Sequence, residues 1–345
     1  MVIRIGYSKL YKFVKEILLK SGLDKFSTNA VTKGLCEASL RGVDSHGVKL
    51  LPHYVESAIR GRKNPRPKFK FTKKFPSVYM LDADHAFGHA AGIKAINKSI
   101  QLADKFGLSV VAVKNSSHPG AMAPIVLDAA RKGYIVLAFT HADALQLSYN
   151  GTRPFFGTNP ICFAAPRKNE EPFCLDMSTS KFTWNKLMNY KNSKKKLPKD
   201  VAADKFGKIT TDPSRAVSLL SIGDYKGFGL AAMVEIFCSI FTGMNYGRDI
   251  PSMYKFSMKK KRKLGQFYLA IRSDACVSKT SFASRLKKMS ASVRQEPSKK
   301  KEKILLPNDK EIYCSILRKK TGIPVEKKLF QNFIKLSKKY KVKLT

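Results

Sequence analysis

Residues 78–143 read VYMLDADHAFGHAAGIKAINKSIQLADKFGLSVVAVKNSSHPGAMAPIVLDAARKGYIVLAFTHAD, and their hydrophobic pattern switches between two periods. Runs rich in β-forming residues begin at Val78, Leu108 and Tyr134, which is typical of strands. The segments between them carry apolar residues at the spacing of one helical face. This alternation predicts an α/β domain. The predicted helices span 90–106 and 121–132, and further strands are predicted over 161–165, 173–177 and 266–272.

The first 60 residues predict helices rather than strands. Apolar residues recur on one helical face as far as Gly22, and Ser8 is the expected N-cap of this helix. A second helix is expected to begin after Ser27, and a third to cover roughly 53–60. The basic stretch 61–74 that follows, GRKNPRPKFKFTKK, predicts an exposed connector or an edge strand.

The chain has 345 residues, 43% of them hydrophobic, so it can bury a sizeable core. Its six cysteines are scattered without a CxxC pair or a zinc-like spacing, which favours reduced thiols and no structural metal. The N-terminus lacks the pattern of a secretory signal. The most hydrophobic stretch, 229–244, contains Glu235 and is shorter than the roughly 20 residues that span a bilayer. We therefore expect a soluble, cytoplasmic protein with no membrane partner.

The formal net charge of +40 would by itself suggest a polyanion as partner. However, 50 lysines stand against 15 arginines, whereas nucleic-acid readers favour the bidentate guanidinium. The lysine runs at 194–196, 259–263 and 299–301 are also dispersed along the chain. We expect a solvated, lysine-rich surface without specific nucleic-acid binding, and a polyanion-binding protein stays as an alternative.

The segment 41–48, RGVDSHGV, is a candidate proton-transfer site. It places Asp44, Ser45 and His46 between two glycines directly after a predicted helix. An unperturbed histidine pKa of about 6.5 suits proton exchange near neutrality. Serine, aspartate and glycine also serve simply to cap and turn chains, so the segment by itself leaves both interpretations open. All six histidines lie within the first 141 residues, which places any imidazole chemistry in that part of the chain.

Two other patterns are weaker. Gly227, Gly229 and Ala232 form a G-x-G-x-x-A string, but a polar turn precedes it where a Rossmann site needs a strand. We interpret it as a close approach at a helix N-terminus, where Lys226 offers a cation to a phosphate or carboxylate; the alternative is a solvated lysine at a glycine-rich helix start. His85 and His89 are spaced like metal ligands, but their segment is a turn-rich helix entry, so we expect no metal.

Taken together, seven ordered segments resemble the malate/L-lactate dehydrogenase family, also called the type 2 malate/L-sulfolactate dehydrogenases. These segments are RGVDSHGV, NSSHPGAMAPIVLDAARKG, GTNPICFAAP, LDMSTS, AADKFGKITTDP, DYKGFGLAAMVE and LGQFYLAI. The 203–213 loop and the GRDIPSMY stretch look most like ureidoglycolate dehydrogenase and its neighbours.

The resemblance implies an NAD(P)-dependent oxidoreductase of small 2-hydroxy and 2-oxo acids. It also implies a non-Rossmann α/β fold of α+β character, with a mainly antiparallel cofactor sheet and a helical domain, in a homodimer that shares its active sites. The expected domains are a helical domain over 1–74 carrying the Ser-His-Gly site, a cofactor-binding domain over 75–305, and a C-terminal helical segment over 306–345 that returns to the first domain. A non-catalytic paralogue that retains the fold stays as a further alternative.

The resemblance also implies roles for individual residues. His46 matches the proton donor, with Ser45 and Asp176 matching the residues that orient it, whereas other members place the acid/base at His118. Both cannot be the primary group, and we favour His46 narrowly. The implied cofactor contacts are His118, Gly120, Ala121, Met122, Asp176, Met177, Ser178 and Lys226. The implied substrate contacts are Lys49, Thr158 and Asn159.

Two departures from the family pattern concern the substrate and a loop. Many relatives carry an arginine where this chain has Leu50, and that arginine would clamp a substrate carboxylate; the neighbouring Lys49 is only a point charge. The usual proline-glycine-glutamate element appears as LLPNDKE at 305–311. The substrate is therefore left open. The choice between NAD and NADP is open as well, because no acidic residue about 20 positions past a fingerprint is present to indicate how the adenine ribose is bound.

Overall fold

The computed structural model describes residues 2–254, 256–299 and 302–344. The helices are α1 (Tyr7–Lys20), α2 (Lys25–Leu40), α3 (Leu51–Ile59), α4 (Gly88–Phe106), α5 (Ala123–Arg131), α6 (Trp184–Asn192), α7 (Asp224–Glu235), α8 (Lys279–Gln295), α9 (Asp309–Thr321) and α10 (Lys327–Tyr340). The strands are β1 (Val2–Ile5), β2 (Lys70–Phe75), β3 (Val78–Asp82), β4 (Leu108–Ser116), β5 (Tyr134–Thr140), β6 (Gln146–Leu147), β7 (Pro154–Phe156), β8 (Ile161–Ala165), β9 (Phe173–Met177), β10 (Ala202–Ala203), β11 (Ser218–Leu219), β12 (Leu264–Arg272) and β13 (Ile323–Glu326).

Seven strands form the main sheet in the order β2-β3-β4-β12-β5-β8-β9. The pair β3–β4 is parallel and the other pairs in this sheet are antiparallel. Strand β12 returns from far along the chain and inserts antiparallel between β4 and β5. These two strands therefore run parallel to each other, and α5 connects them as a crossover helix. The predicted mainly antiparallel α/β fold is thereby confirmed, and 161–165 and 173–177 are strands as predicted.

Helices α4 and α5 cover one face of this sheet. Their apolar residues pack with strand residues such as Leu81, Val111 and Tyr268 in one continuous core. The opposite face carries a stack of three aromatic rings, Phe139, Phe237 and Phe267, of which Phe237 belongs to a π-helical turn that continues α7. The sheet is therefore buried on both faces at its centre.

Helices α1, α2, α3 and α10 form a second core. The predicted inner face of α1 is buried as expected, since Leu10, Phe13 and Ile17 are at most 1% exposed. Strands β1 and β13 pair antiparallel beside these helices, which joins the first strand of the chain to the segment that precedes α10. A smaller four-stranded sheet has the order β10-β11-β6-β7. Its strands β6 and β7 lie between β5 and β8 in the chain, and β10 and β11 follow α6.

Three local predictions need correction. Helix α1 begins at Tyr7, ahead of the expected cap Ser8, and no side chain caps it. Helix α2 begins before Ser27, because the carboxylate of Asp24 accepts the Ser27 N–H at 2.6 Å and supplies the N-cap. The stretch 61–74 contains the edge strand β2, yet Arg62 and Lys63 within it are each only 2% exposed. Within the described ranges, no helix is both long and apolar enough to cross a membrane.

Candidate active site

A cavity of about 730 Å³ opens between the end of α2 and the edge of the main sheet, and it has the size of a small-ligand site. The segment containing Ser45 and His46 forms one wall, and His118, Gly120 and Ala121 form another. Leu50 also lines the cavity. The wall is therefore apolar at the position where the family resemblance implies an arginine in many relatives.

The Ser-His-Gly segment follows α2 as one turn of 3₁₀ helix over Asp44–His46. The following Gly47 lies so close to α2 that an added Cβ would come within 2.0 Å of Ser39 Oγ. That hydroxyl accepts the Val48 N–H at 2.9 Å, which fixes the backbone directly after the histidine. Glycine is therefore required here by close packing.

Two side chains from distant parts of the chain hold this turn. Arg318 on α9 donates to both carboxylate oxygens of Asp44, at 2.6 and 2.9 Å, and also to the Ser39 carbonyl. Asn185 on α6 donates its amide to the Ser45 carbonyl at 2.9 Å. Sequence analysis missed both residues, because contacts across such separations leave no local pattern.

The imidazole of His46 contacts a hydroxyl group and a second imidazole. Its Nδ1 lies 2.8 Å from Ser45 Oγ, a hydroxyl that can accept or donate, so the bond survives a change of protonation. Its ring stacks on that of His118, with the centroids 5.4 Å apart and the planes 27° apart. Burial lowers the pKa of His46 to about 4, so the imidazole is neutral near pH 7 in the absence of ligand.

His118 is held in one tautomer. The backbone N–H of Gly120 donates to His118 Nδ1 at 3.3 Å, and the Tyr54 hydroxyl lies 3.2 Å from the same nitrogen. Because a backbone N–H can only donate, Nδ1 is an acceptor and the ring proton resides on Nε2. Burial, with nearby positive charges including Arg262, lowers the pKa of His118 well below its usual value. His118 is thus a neutral N–H donor lining the cavity.

Asp176 faces the cavity from the end of β9, but it does not orient His46 directly. Its Oδ2 accepts the N–H groups of Met122 and Ala123, each at 2.8 Å, at the start of α5. Asp176 is open to the cavity although protein surrounds it on most sides. This enclosure raises its pKa to about 6, although the two N–H bonds act to lower the pKa. Among the described residues it forms no hydrogen bond with either histidine.

The remaining sequence-predicted site residues divide into two groups. Those that line the cavity are Ser45, His46, His118, Gly120, Ala121, Thr158, Asp176 and Ser178. Those outside its lining are Lys49, Met122, Asn159, Met177 and Lys226.

Each of three residues outside the lining has its own environment. Lys49 is exposed and donates to Asn189 at 3.2 Å, and Lys226 is exposed on α7. Asn159 is buried behind the cavity, where its amide donates to Glu235 at 2.7 Å.

Three cavity-lining arginines were missed: Arg41, Arg248 and Arg262. Arg41, 8% exposed, donates to Asn308, and Arg262, 3% exposed, pairs with Asp143 and donates to the Pro251 carbonyl at 2.9 Å. Arg262 lies in the run 259–263 that the sequence indicated to be solvated surface, which is wrong for this residue. A run of basic residues predicts exposure for each residue in it, so a single buried arginine within the run cannot be recognised from the sequence.

Comparison with solved structures assigns the protein to a class. The chain superposes on malate dehydrogenase from Entamoeba histolytica with a TM-score of 0.94 and 26% sequence identity, covering 99% of each chain. The histidine pair and its cavity therefore lie on the fold of a dehydrogenase.

Comparison of sequences identifies the family. Residues 5–333 match the family described as malate/L-lactate dehydrogenase. The chain is 32% identical over 354 residues to a malate dehydrogenase of Pyrococcus abyssi, covering 99% of this chain and 96% of that protein. It is 31% identical over 268 residues to a protein of Escherichia coli K12 named ureidoglycolate dehydrogenase (NAD(+)), covering 78% of this chain and 76% of that protein. The chain belongs to the malate/L-lactate dehydrogenase family, which confirms the predicted family and the prediction of a 2-hydroxy acid dehydrogenase.

The family implies a nicotinamide cofactor. A relative in Chromohalobacter salexigens, 33% identical over 68% of this chain and 71% of that protein, is named as an NADP(+)-dependent sulfolactate dehydrogenase. The expectation of NAD or NADP is therefore confirmed without a choice between them. The residues present fit such a group, because Arg41, Arg248 and Lys310 on the cavity lining provide positive charge that suits an anionic pyrophosphate.

Proposed function

We propose that this chain interconverts a small 2-hydroxy acid and its 2-oxo acid, with malate-, lactate- or ureidoglycolate-like compounds as the substrate class. The observation that carries the proposal is the stacked pair of His46 and His118, whose rings have different hydrogen-bond partners. The His46 ring exchanges a proton at Nε2 while its Nδ1 bonds Ser45, and the His118 ring offers a fixed N–H. A carbonyl-to-alcohol interconversion needs one group of each kind.

In the oxidative direction, neutral His46 accepts the proton of the substrate hydroxyl at Nε2. Ser45 Oγ then accepts the Nδ1–H and stabilises the imidazolium that forms. His118 donates its Nε2–H to the same substrate oxygen, which lowers the cost of charge developing there. In the reductive direction His46 returns the proton to the carbonyl oxygen. NAD or NADP, when bound, accepts or supplies the hydride.

Positive charge at the cavity wall supports an acidic substrate. Arg262 lines the cavity beside His118, and its paired Asp143 fixes the guanidinium plane. With Leu50 in place of the arginine common in relatives, Arg262 is the cation we propose for the substrate carboxylate. Lys49 is not needed for this role, since it is exposed and bonds Asn189.

We also propose a homodimer. The outer face of α7 and its π-helical continuation exposes large apolar residues, including Ile236 at 55%, Ile240 at 62% and Phe241 at 50%. Adjacent exposed apolar side chains of this kind mark association surfaces. The predicted cytoplasmic location stays a proposal, supported by free thiols at Cys36, Cys162, Cys174 and Cys238.

The test is a spectrophotometric screen of the purified protein. NADH and NADPH are offered with pyruvate, oxaloacetate and other 2-oxo acids, and ureidoglycolate is offered with NAD and NADP. We expect turnover with at least one acid, lost in His46→Gln and retained in Lys12→Met, a control at an exposed lysine on α1 outside the cavity lining. Cofactor binding without turnover across the panel would favour a non-catalytic paralogue, and no cofactor binding would overturn the proposal.

A further inference from the structure

Lys63 is buried without a hydrogen-bond acceptor. It is 2% exposed, and its Nζ forms no hydrogen bond with any described residue. Enclosing an ammonium in this way is costly unless the position serves a purpose, because charged groups are normally buried with a partner. The backbone is fixed as well, since the Lys63 N–H donates to the Ser57 carbonyl of α3 at 3.1 Å.

The amino group of Lys63 lies against aromatic rings. Its Nζ is 3.5 Å from the centroid of the Tyr54 ring and 4.8 Å from that of Phe87. Tyr54 is fully buried, and its hydroxyl is 3.2 Å from Nδ1 of His118. A continuous series of contacts therefore leads from Lys63 through Tyr54 to His118, which stacks on His46.

Positive charge is in excess around this series. Arg62 donates to the carbonyls of Met253, Phe256 and Ser257, so it has no carboxylate among these partners. Arg262 pairs with Asp143, which is the carboxylate bound within the cluster.

The neighbouring rings respond to this charge. Lys63 and Arg262 both add to the burial that lowers the pKa of His53, and Lys63 and His46 add to the burial that lowers the pKa of His89. Burial likewise lowers the pKa of the Lys63 amine, with Arg262 and Arg62 adding to it. The positive groups of this cluster therefore disfavour protonation of His118.

We propose that Lys63 is a positioning residue for the proton chemistry: its amino group, seated on the Tyr54 ring, holds the phenol against His118 and keeps that imidazole an uncharged N–H donor beside His46. The inference rests on the proposed roles of the two histidines. Lys63 itself lies outside the cavity lining.

The test replaces Lys63 by methionine, which has a similar length and suits the apolar surroundings. Histidine titrations are followed by NMR on the cofactor-free protein, with His118 assigned through His118→Gln. We expect the His118 resonance of Lys63→Met to titrate at a higher pH than in the wild type, and kcat to fall about tenfold with little change in KM. The melting temperature stays the same or rises, because an unpaired buried amine is removed.

Two further variants make the result specific. Tyr54→Phe removes the hydroxyl that links Lys63 to His118, and we expect it to shift the His118 titration as Lys63→Met does. The double variant Lys63→Met, Tyr54→Phe should show no further shift. Lys98→Met removes another contact of a lysine with an aromatic ring, since Lys98 Nζ lies 4.7 Å from the centroid of the Tyr79 ring, outside the cavity lining. It should change neither the His118 titration nor kcat.

An unchanged His118 titration in Lys63→Met, or an equal change in Lys98→Met, would overturn the inference. A fall in melting temperature together with unchanged histidine titrations would identify Lys63 as purely structural and would also overturn it. Because NMR and thermal melts need no substrate, failure of the proposed function would appear separately, as absent turnover in the wild type.

Discussion

Arg318 and Asp44 form a two-pronged ion pair, 2.6 and 2.9 Å long, although 274 positions separate them in the chain. The pair ties α9 to the turn that carries His46. Its fork geometry fixes the carboxylate in orientation as well as in position.

Replacing Arg318 by alanine should release this turn. We expect kcat/KM to fall by about tenfold to a hundredfold, because small displacements of catalytic groups are costly. The loss of stability should be modest, about 1 kcal/mol or less, since Asp44 is half exposed. Steady-state kinetics and denaturant unfolding check this. Arg318→Lys keeps the charge without the fork and should be intermediate; a variant with wild-type kinetics would contradict the anchoring role.

The pH dependence of the reaction should report His46. Its burial lowers the pKa to about 4, so the neutral form needed to accept a proton is present above that pH. In the oxidative direction kcat/KM should therefore rise through about pH 4 and stay level towards neutrality. In Ser45→Ala the imidazolium loses its acceptor, so this limb should move to lower pH. A profile unchanged in His46→Gln would contradict the assignment.

Leu50→Arg should restore a clamp for the substrate carboxylate. Leu50 lines the cavity and is 4% exposed, so the new guanidinium would reach the ligand while costing stability if unpaired. We expect KM for the best 2-oxo acid to fall about tenfold and the melting temperature to drop. Leu50→Met is the matched control and should leave KM unchanged. A raised KM in Leu50→Arg would show that another group already fills this position.

The exposed apolar face of α7 should control the oligomeric state. The double variant Ile236→Asp, Ile240→Asp places two charges in that face, and we expect a shift from dimer to monomer in analytical ultracentrifugation. Ile59→Asp introduces a charge at an equally exposed isoleucine on α3 and should leave the mass unchanged. A monomeric wild type would refute the proposed dimer.

The sequence predicted much of the scaffold because the patterns involved are local. Strands at 161–165 and 173–177 follow from short apolar runs, and the inner face of α1 follows from helical spacing. The cap of α2 was misplaced because Asp24 and Ser27 are both good N-caps and only the backbone path selects between them. Tyr54 could have been placed inside from its spacing with Leu51 and Ala58 on α3.

By itself, the sequence determined the family, the mainly antiparallel fold and the candidacy of His46, since ordered motifs and periodicity survive in one dimension. Only the tertiary structure decided which nitrogen of His118 carries the proton, that Arg318 holds the site turn, and that Lys63 is buried against Tyr54. These features depend on contacts between distant segments, and a basic stretch such as 61–74 predicts exposure. Lys63 is nevertheless buried, because packing with distant segments, and not the solvation preference of the side chain, determines its position.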